Sequence, residues 1–191
     1  MRLTKPRIEP LPLAQLPEEF RKYMSATPDA PVLNVYRTVA RHAKLAKRWL
    51  VFGTHVLAKS TLPGRDRELL ILRTGFRCGS EYEWGQHAAI ALIEGISDQE
   101  IVAIGHGPEH PQWNAFDAAL LRAADELHDD SFVSEPTWQA LTTRYNEAQM
   151  LDLLFAVGQY TLVSMVLNSC GVQLEPGTPG WPAELRGKTH G

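Results

Sequence analysis

The sequence predicts an all-α fold. Apolar residues recur at spacings of three and four along most of the chain, proline and glycine fall between those runs, and no segment alternates in the manner of a half-buried strand. With 191 residues, 44% of them hydrophobic, the chain is long enough for one domain with a real core. The net charge is −3 and no basic run is present, so neither nucleic acid nor an anionic membrane is expected as a partner.

Residues 1–17 carry Pro6, Pro10, Pro12 and Pro17. Proline fixes φ and lacks a backbone donor, so an extended N-terminal arm is expected, of the kind that packs across a neighbour. A single domain is expected over 18–173, starting with a helix at Glu18 to Met24. Val32 to Lys47 reads as helix, with Leu33, Tyr36, Val39 and Ala43 on one face, and Leu45 to Ala58 continues it as a second helix broken near Gly53. Ser60, Thr61 and Pro63 read as hydroxyl caps and an early proline before a helix through Arg65–Thr74. A further helix runs from Ser80 to Glu94 and stops at Gly95, and Ser97 caps a short one through Ile104. His106 to Pro111 is a loop, Asn114 to His128 an amphipathic helix, and Glu135-Pro136 opens another through Tyr145. The last helix spans Glu147 to Ser169 and is closed by Gly171. Residues 174–191 form a tail rich in Pro and Gly, expected to lie on the surface. Glu68-Leu-Leu-Ile-Leu is echoed by Asp152-Leu-Leu-Phe-Ala, which fits two related helical units.

The N-terminus has no apolar h-region and so does not read as a signal peptide. Met150 to Leu167 is the most apolar stretch, but Asp152, Gln159, Thr161 and Ser164 mark it as a buried helix. Cys78 and Cys170 form no paired motif, so a reduced, cytoplasmic chain is expected.

Chemistry concentrates between Arg65 and His87. Glu83 and His87 lie four apart on one helix and share a face, and a carboxylate beside an imidazole raises its pKa and sets its tautomer. Glu68, on the preceding helix, is expected to reach His87 across the hairpin. Arg65 or Arg73 would then hold a substrate carboxylate, with Tyr82, Trp84 and Ser80 as pocket walls. Ser80-x-x-Glu83 also has the form of a capping box, which would occupy both side chains. Cys78 precedes a helix start, where the dipole would lower its thiol pKa and allow a redox role. No metal site is expected at His106 and His110, and the acidic group Asp125 to Asp130 reads as a solvated helix end.

The pattern R-x-R-E-L-x-I-L-R followed by E-Y-E-W-x-Q-H resembles the carboxymuconolactone decarboxylase family, which includes the alkylhydroperoxidase-D-like proteins. The resemblance covers Leu45 to Ile104 and extends more weakly to Gln173. It implies an all-α homo-oligomer (dimer, trimer or hexamer) with pockets near subunit contacts. In the peroxidase branch a C-x-x-C-x-x-x-H helix follows a glutamate twelve residues upstream. In that register Glu68 and His87 keep the relay positions, while Ser80 and Glu83 stand where the two thiols would be. A dithiol reaction needs both sulfurs. The resemblance therefore implies a cofactor-independent, decarboxylase-like lyase acting on a small carboxylated or lactone substrate through His87, Glu68 and Glu83. A peroxidase-type reaction at Cys78 and a non-catalytic oligomeric binding protein are the alternatives.

Overall fold

The computed structural model describes residues 1–18, 20 and 32–188, and among these all regular structure is helical. The helix expected at Glu18 to Met24 lies largely outside the described residues. The main helices are α1 (Asn34–Val39), α2 (Ala43–Thr54), α3 (Gly64–Arg77), α4 (Glu81–Ile93), α5 (Asp98–His106), α6 (Ala115–Asp130), α7 (Glu135–Thr142) and α8 (Glu147–Cys170).

Helix α3 is the axis of the fold. Every residue from Glu68 to Phe76 is buried, because α4, α6 and α8 pack around it. Leu69, Leu72, Ile104, Leu120, Leu141 and Leu153 interlock there, and a helix covered on all sides needs no polar face. The two echo segments lie on α3 and α8, which pack against each other.

Local chemistry sets most helix ends. Ser97 and Glu100 form a reciprocal capping box on α5, and Asn146 and Gln149 form one on α8. Gly171, at φ 68°, ends α8 in the left-handed region. Other ends depart from expectation. Helix α2 passes through Gly53 to Thr54 and continues as a π turn over His55–Lys59, with Gly53 pressed against the Gln159 side chain. The Ser60 and Thr61 hydroxyls do not cap α3: Ser60 accepts from the Leu62 N–H, and Thr61 donates to Asp152. Helix α7 stops at Thr142, and the Tyr145 hydroxyl is held by Asp66.

The two ends of the chain pack on their own domain. The Arg7 and Ile8 N–H groups donate to the Cys170 carbonyl, and Leu11 and Arg37 exchange hydrogen bonds, so the arm crosses the end of α8 and α1. The tail is not a surface appendage. Trp181 and Leu185 are buried in the central core, where the Trp181 ring meets Phe76 at 5.6 Å and Trp84 at 5.1 Å between centroids. These are large apolar side chains in a stretch otherwise rich in Pro and Gly, and burying them outweighs ordering that stretch. Gly85 and Gly105 permit the close approach, since a methyl there would run into the Pro179 carbonyl and the Leu185 side chain respectively. The acidic end of α6 is also engaged: Asp125 binds Arg73, and Glu126 accepts from Ser134 and Thr137 at the start of α7. Among the described residues, α8 is the one helix long and apolar enough to cross a membrane, and half of its most apolar window is buried in the fold.

Candidate active site

Helices α3 and α4 are joined by a tight turn through Gly79, at φ 59°, and run back along each other. Gly75 lets them touch: its missing Cβ would lie 3.4 Å from the Glu83 Cβ. One helical turn beyond Glu83 is His87, and two turns before Gly75 is Glu68, so the antiparallel pair brings these two side chains face to face. The His87 Nδ1 lies 2.7 Å from the Glu68 Oε2, and its Nε2 lies 3.1 Å from the Glu83 Oε1. All three are buried, Glu68 completely. Arg67 Nε donates to the other Glu68 oxygen at 3.2 Å and its guanidinium also faces Glu94, which anchors the inner end of the relay.

Burial by itself would lower the His87 pKa. The charge and hydrogen bond of Glu68, joined by those of Glu83, outweigh that and raise it to about 10. His87 is therefore an imidazolium between two carboxylates. A group protonated more readily in the folded chain than in the unfolded one stabilises the fold fully below its unfolded pKa, near 6.5 here, and loses that contribution as pH rises through about 10. Wild-type stability in urea is thus expected to fall between pH 7 and 10 more steeply than that of His87→Gln. Parallel slopes would refute the assignment.

The relay opens on a cavity of about 260 Å³ enclosed by α1, α2, the π turn, α4 and α8. Glu83 and His87 form its polar wall together with Tyr36, Tyr82, Gln86, Gln159 and Tyr160, while Val35, Trp49, Leu50, Leu57 and Val163 supply an apolar lining. The Tyr160 ring stands edge-on to the His87 ring at 4.9 Å. Glu175, from the tail, fixes one side by accepting from the Asn34 N–H, the Tyr82 hydroxyl and the Gln86 amide. Among the described residues, no cluster of three or more His, Cys, Asp or Glu side chains is arranged to hold a metal ion.

Residues 43–126, which contain the whole α3–α4 hairpin, match the carboxymuconolactone decarboxylase family. That stretch of the chain is similar to the family. No curated protein sequence matches it. The fold is shared with an uncharacterized peroxidase-related protein from Silicibacter sp. TM1040 (18% identity, TM-score 0.79, covering 92% of this chain and 97% of that one). It is shared too with an alkylhydroperoxidase AhpD core, an uncharacterized peroxidase-related protein from Ralstonia eutropha JMP134 (20% identity, TM-score 0.78, covering 88% and 93%). A third similar structure is the debrominase Bmp8 in complex with 2,3,4-tribromopyrrole (13% identity, TM-score 0.74, covering 91% and 94%).

Several residues lie elsewhere than the sequence led us to expect. Arg65 and Arg73 do not reach the cavity: Arg65 binds Glu100 and Asp117, and Arg73 is buried in a fork with Asp125. Trp84 belongs to the core, against Phe76 and Trp181, and only Tyr82 of the aromatic pair lines the cavity. Ser80 is the N-cap residue of α4 but makes no side-chain cap. Its Oγ is buried without a partner, and the reciprocal bond of a capping box is absent too, because the Ser80 N–H donates to the Gly75 carbonyl and the Glu83 side chain is on the imidazolium. Cys78 ends α3, at the negative end of a helix dipole. Burial pushes its thiol pKa up, and it does not line the cavity. Tyr36, Trp49, Gln159, Tyr160 and Glu175 were missed at the sequence level. The available signal was polar or aromatic residues on helices that otherwise read as apolar, at Tyr36 and at Gln159-Tyr160.

Proposed function

We propose that this protein is a cofactor-independent acid–base enzyme, a lyase or isomerase that moves a proton on a small lactone or related carbonyl compound. The observation that carries this reading is the buried Glu68–His87–Glu83 chain ending on a cavity, with Glu83 as its cavity-side carboxylate. Both imidazole nitrogens are engaged, so Glu83 exchanges the proton with substrate. His87 and Glu68 are positioning groups: His87 holds Glu83 and balances its charge, and Glu68 holds His87. The described wall carries one carboxylate, Glu83, with phenols, amides and the His87 imidazolium already held between Glu68 and Glu83, and no lysine or arginine. This favours an uncharged lactone or ketone over a carboxylated substrate.

Support for a thiol peroxidase reaction is weaker. A peroxidatic thiol must ionise and meet a resolving thiol, whereas Cys78 is held protonated by burial and lies outside the cavity. The test is solvent deuterium exchange into a panel of enolisable lactones and cyclic ketones, followed by NMR. Exchange that depends on Glu83 supports the reading. Peroxide consumption that Cys78→Ser abolishes, with no exchange in the panel, would replace it.

We further propose that the protein forms homo-oligomers through the outer face of α8. Leu151, Phe155, Leu162 and Met165 are at least half exposed and recur at spacings of four, seven and three, as in a helix seam. Phe52 packs beside Phe155. Light scattering of Phe155→Glu is expected to show a smaller species than wild type. An unchanged mass would exclude this face.

A further inference from the structure

The cavity holds polar groups that nothing described in the chain satisfies. Of the described tyrosines, Tyr82 donates to Glu175 and Tyr145 to Asp66. The hydroxyls of Tyr36 and Tyr160 have no hydrogen-bond partner among the described residues, and both side chains line the cavity beside Glu83. Tyr160 is 6% exposed, and a buried phenol ordinarily finds a partner. Gln159, 4% exposed and on the same wall, has a buried Oε1 that accepts from nothing. Two donors and one acceptor therefore await a ligand next to a carboxylate.

We propose that Tyr36 and Tyr160 donate hydrogen bonds to the substrate carbonyl oxygen as it gains negative charge, and that Gln159 selects substrates carrying a hydroxyl or N–H group near that carbonyl. The inference rests on the proton-transfer reading above and names its substrate class: hydroxy- or amino-substituted enolisable lactones and ketones. In the step, the substrate C–H bond breaks and its proton forms an O–H bond on Glu83. The electron pair moves into the carbonyl to give an enolate oxygen, which the two phenols hold. Return of a proton to the same carbon completes the exchange, and in a substrate with a C=C bond next to that carbon its return to the far end of the dienolate completes an isomerisation with no other reactant. Charge moves from Glu83 to the oxygen facing the phenols, so the net charge of the cavity is constant. Burial and the neighbouring Glu83 raise both phenol pKa values, so the phenols remain donors at neutral pH.

The test uses Glu83→Gln, which resembles the protonated base, and 4-nitrophenolate as a stand-in for the enolate, titrated by its absorbance. Glu83→Gln is expected to bind 4-nitrophenolate more tightly than wild type, whose carboxylate repels it. Adding Tyr36→Phe or Tyr160→Phe should each weaken binding by about tenfold or more, as for hydrogen bonds to a charged acceptor. Tyr145→Phe, whose hydroxyl is engaged elsewhere, should not. Glu83→Gln should also prefer 4-nitrocatechol to 4-nitrophenol, and Gln159→Leu should remove that preference. Circular dichroism checks that each variant is folded. No binding to Glu83→Gln, or binding indifferent to both Phe substitutions, overturns the tyrosine assignment. A preference that survives Gln159→Leu overturns that of Gln159. Tyrosine-dependent binding without deuterium exchange in wild type leaves this ligand class standing and removes the proton-transfer reading. Exchange without tyrosine-dependent binding does the reverse.

Discussion

Glu83→Gln is expected to lower deuterium exchange about 10²–10⁴-fold while leaving stability nearly unchanged, the range over which a positioned acid or base acts. The amide has the shape of the carboxylate and still offers an oxygen to the His87 Nε2, now at 3.1 Å from Glu83, but it cannot take a proton. His87→Gln is expected to behave differently. It removes the cation between two buried carboxylates, leaving Glu83 with uncompensated charge and Glu68 with Arg67 as its one cationic partner, and should cost about 3–5 kcal/mol in addition to activity. The contrast separates the residue that exchanges the proton from the one that holds it. If His87→Gln kept wild-type stability and Glu83→Gln did not, the roles would be reversed.

The second large effect lies outside the cavity. Arg73→Met should destabilise the protein by about 3–5 kcal/mol, the usual consequence of breaking a buried ion pair from one side. Arg73 is 5% exposed. Its Nε and Nη2 donate to the two Asp125 oxygens at 2.7 and 2.8 Å, and its Nη1 donates to the Ile104 and Gly105 carbonyls. Methionine fills the space but leaves Asp125 and two carbonyls without their donor. Exchange activity, measured below the melting transition, should persist. Lost activity with intact stability would return Arg73 to the substrate.

The two arginines show what a single sequence can carry. The Arg65–Arg73 spacing was visible, but their partners Glu100, Asp117 and Asp125 come from α5 and α6, and no local pattern says which distant carboxylate arrives. The relay was more legible because it is nearly local: a helix hairpin with small residues at its crossing forces Glu68 and His87 together. The same local logic misread Ser80-x-x-Glu83, since a capping pattern does not reveal that the Ser80 N–H is taken by the Gly75 carbonyl and Glu83 by an imidazolium. The tail was misplaced by composition, because its Pro and Gly residues outnumber but do not outweigh Trp181 and Leu185. The outer cavity wall was least legible. Tyr36, Gln159 and Tyr160 sit on α1 and α8, whose apolar periodicity places them in a core without saying that the core is hollow there.

The chemistry of the site depends on His87 being a cation held between two carboxylates, and nitrogen-15 NMR of the labelled imidazole measures that directly. Both ring nitrogens should be protonated at pH 7, with the transition near 10. In Glu68→Gln the transition should move down, because the largest stabilising partner of the charged ring is gone. A neutral tautomer at pH 7, titrating near 6.5, would contradict the account.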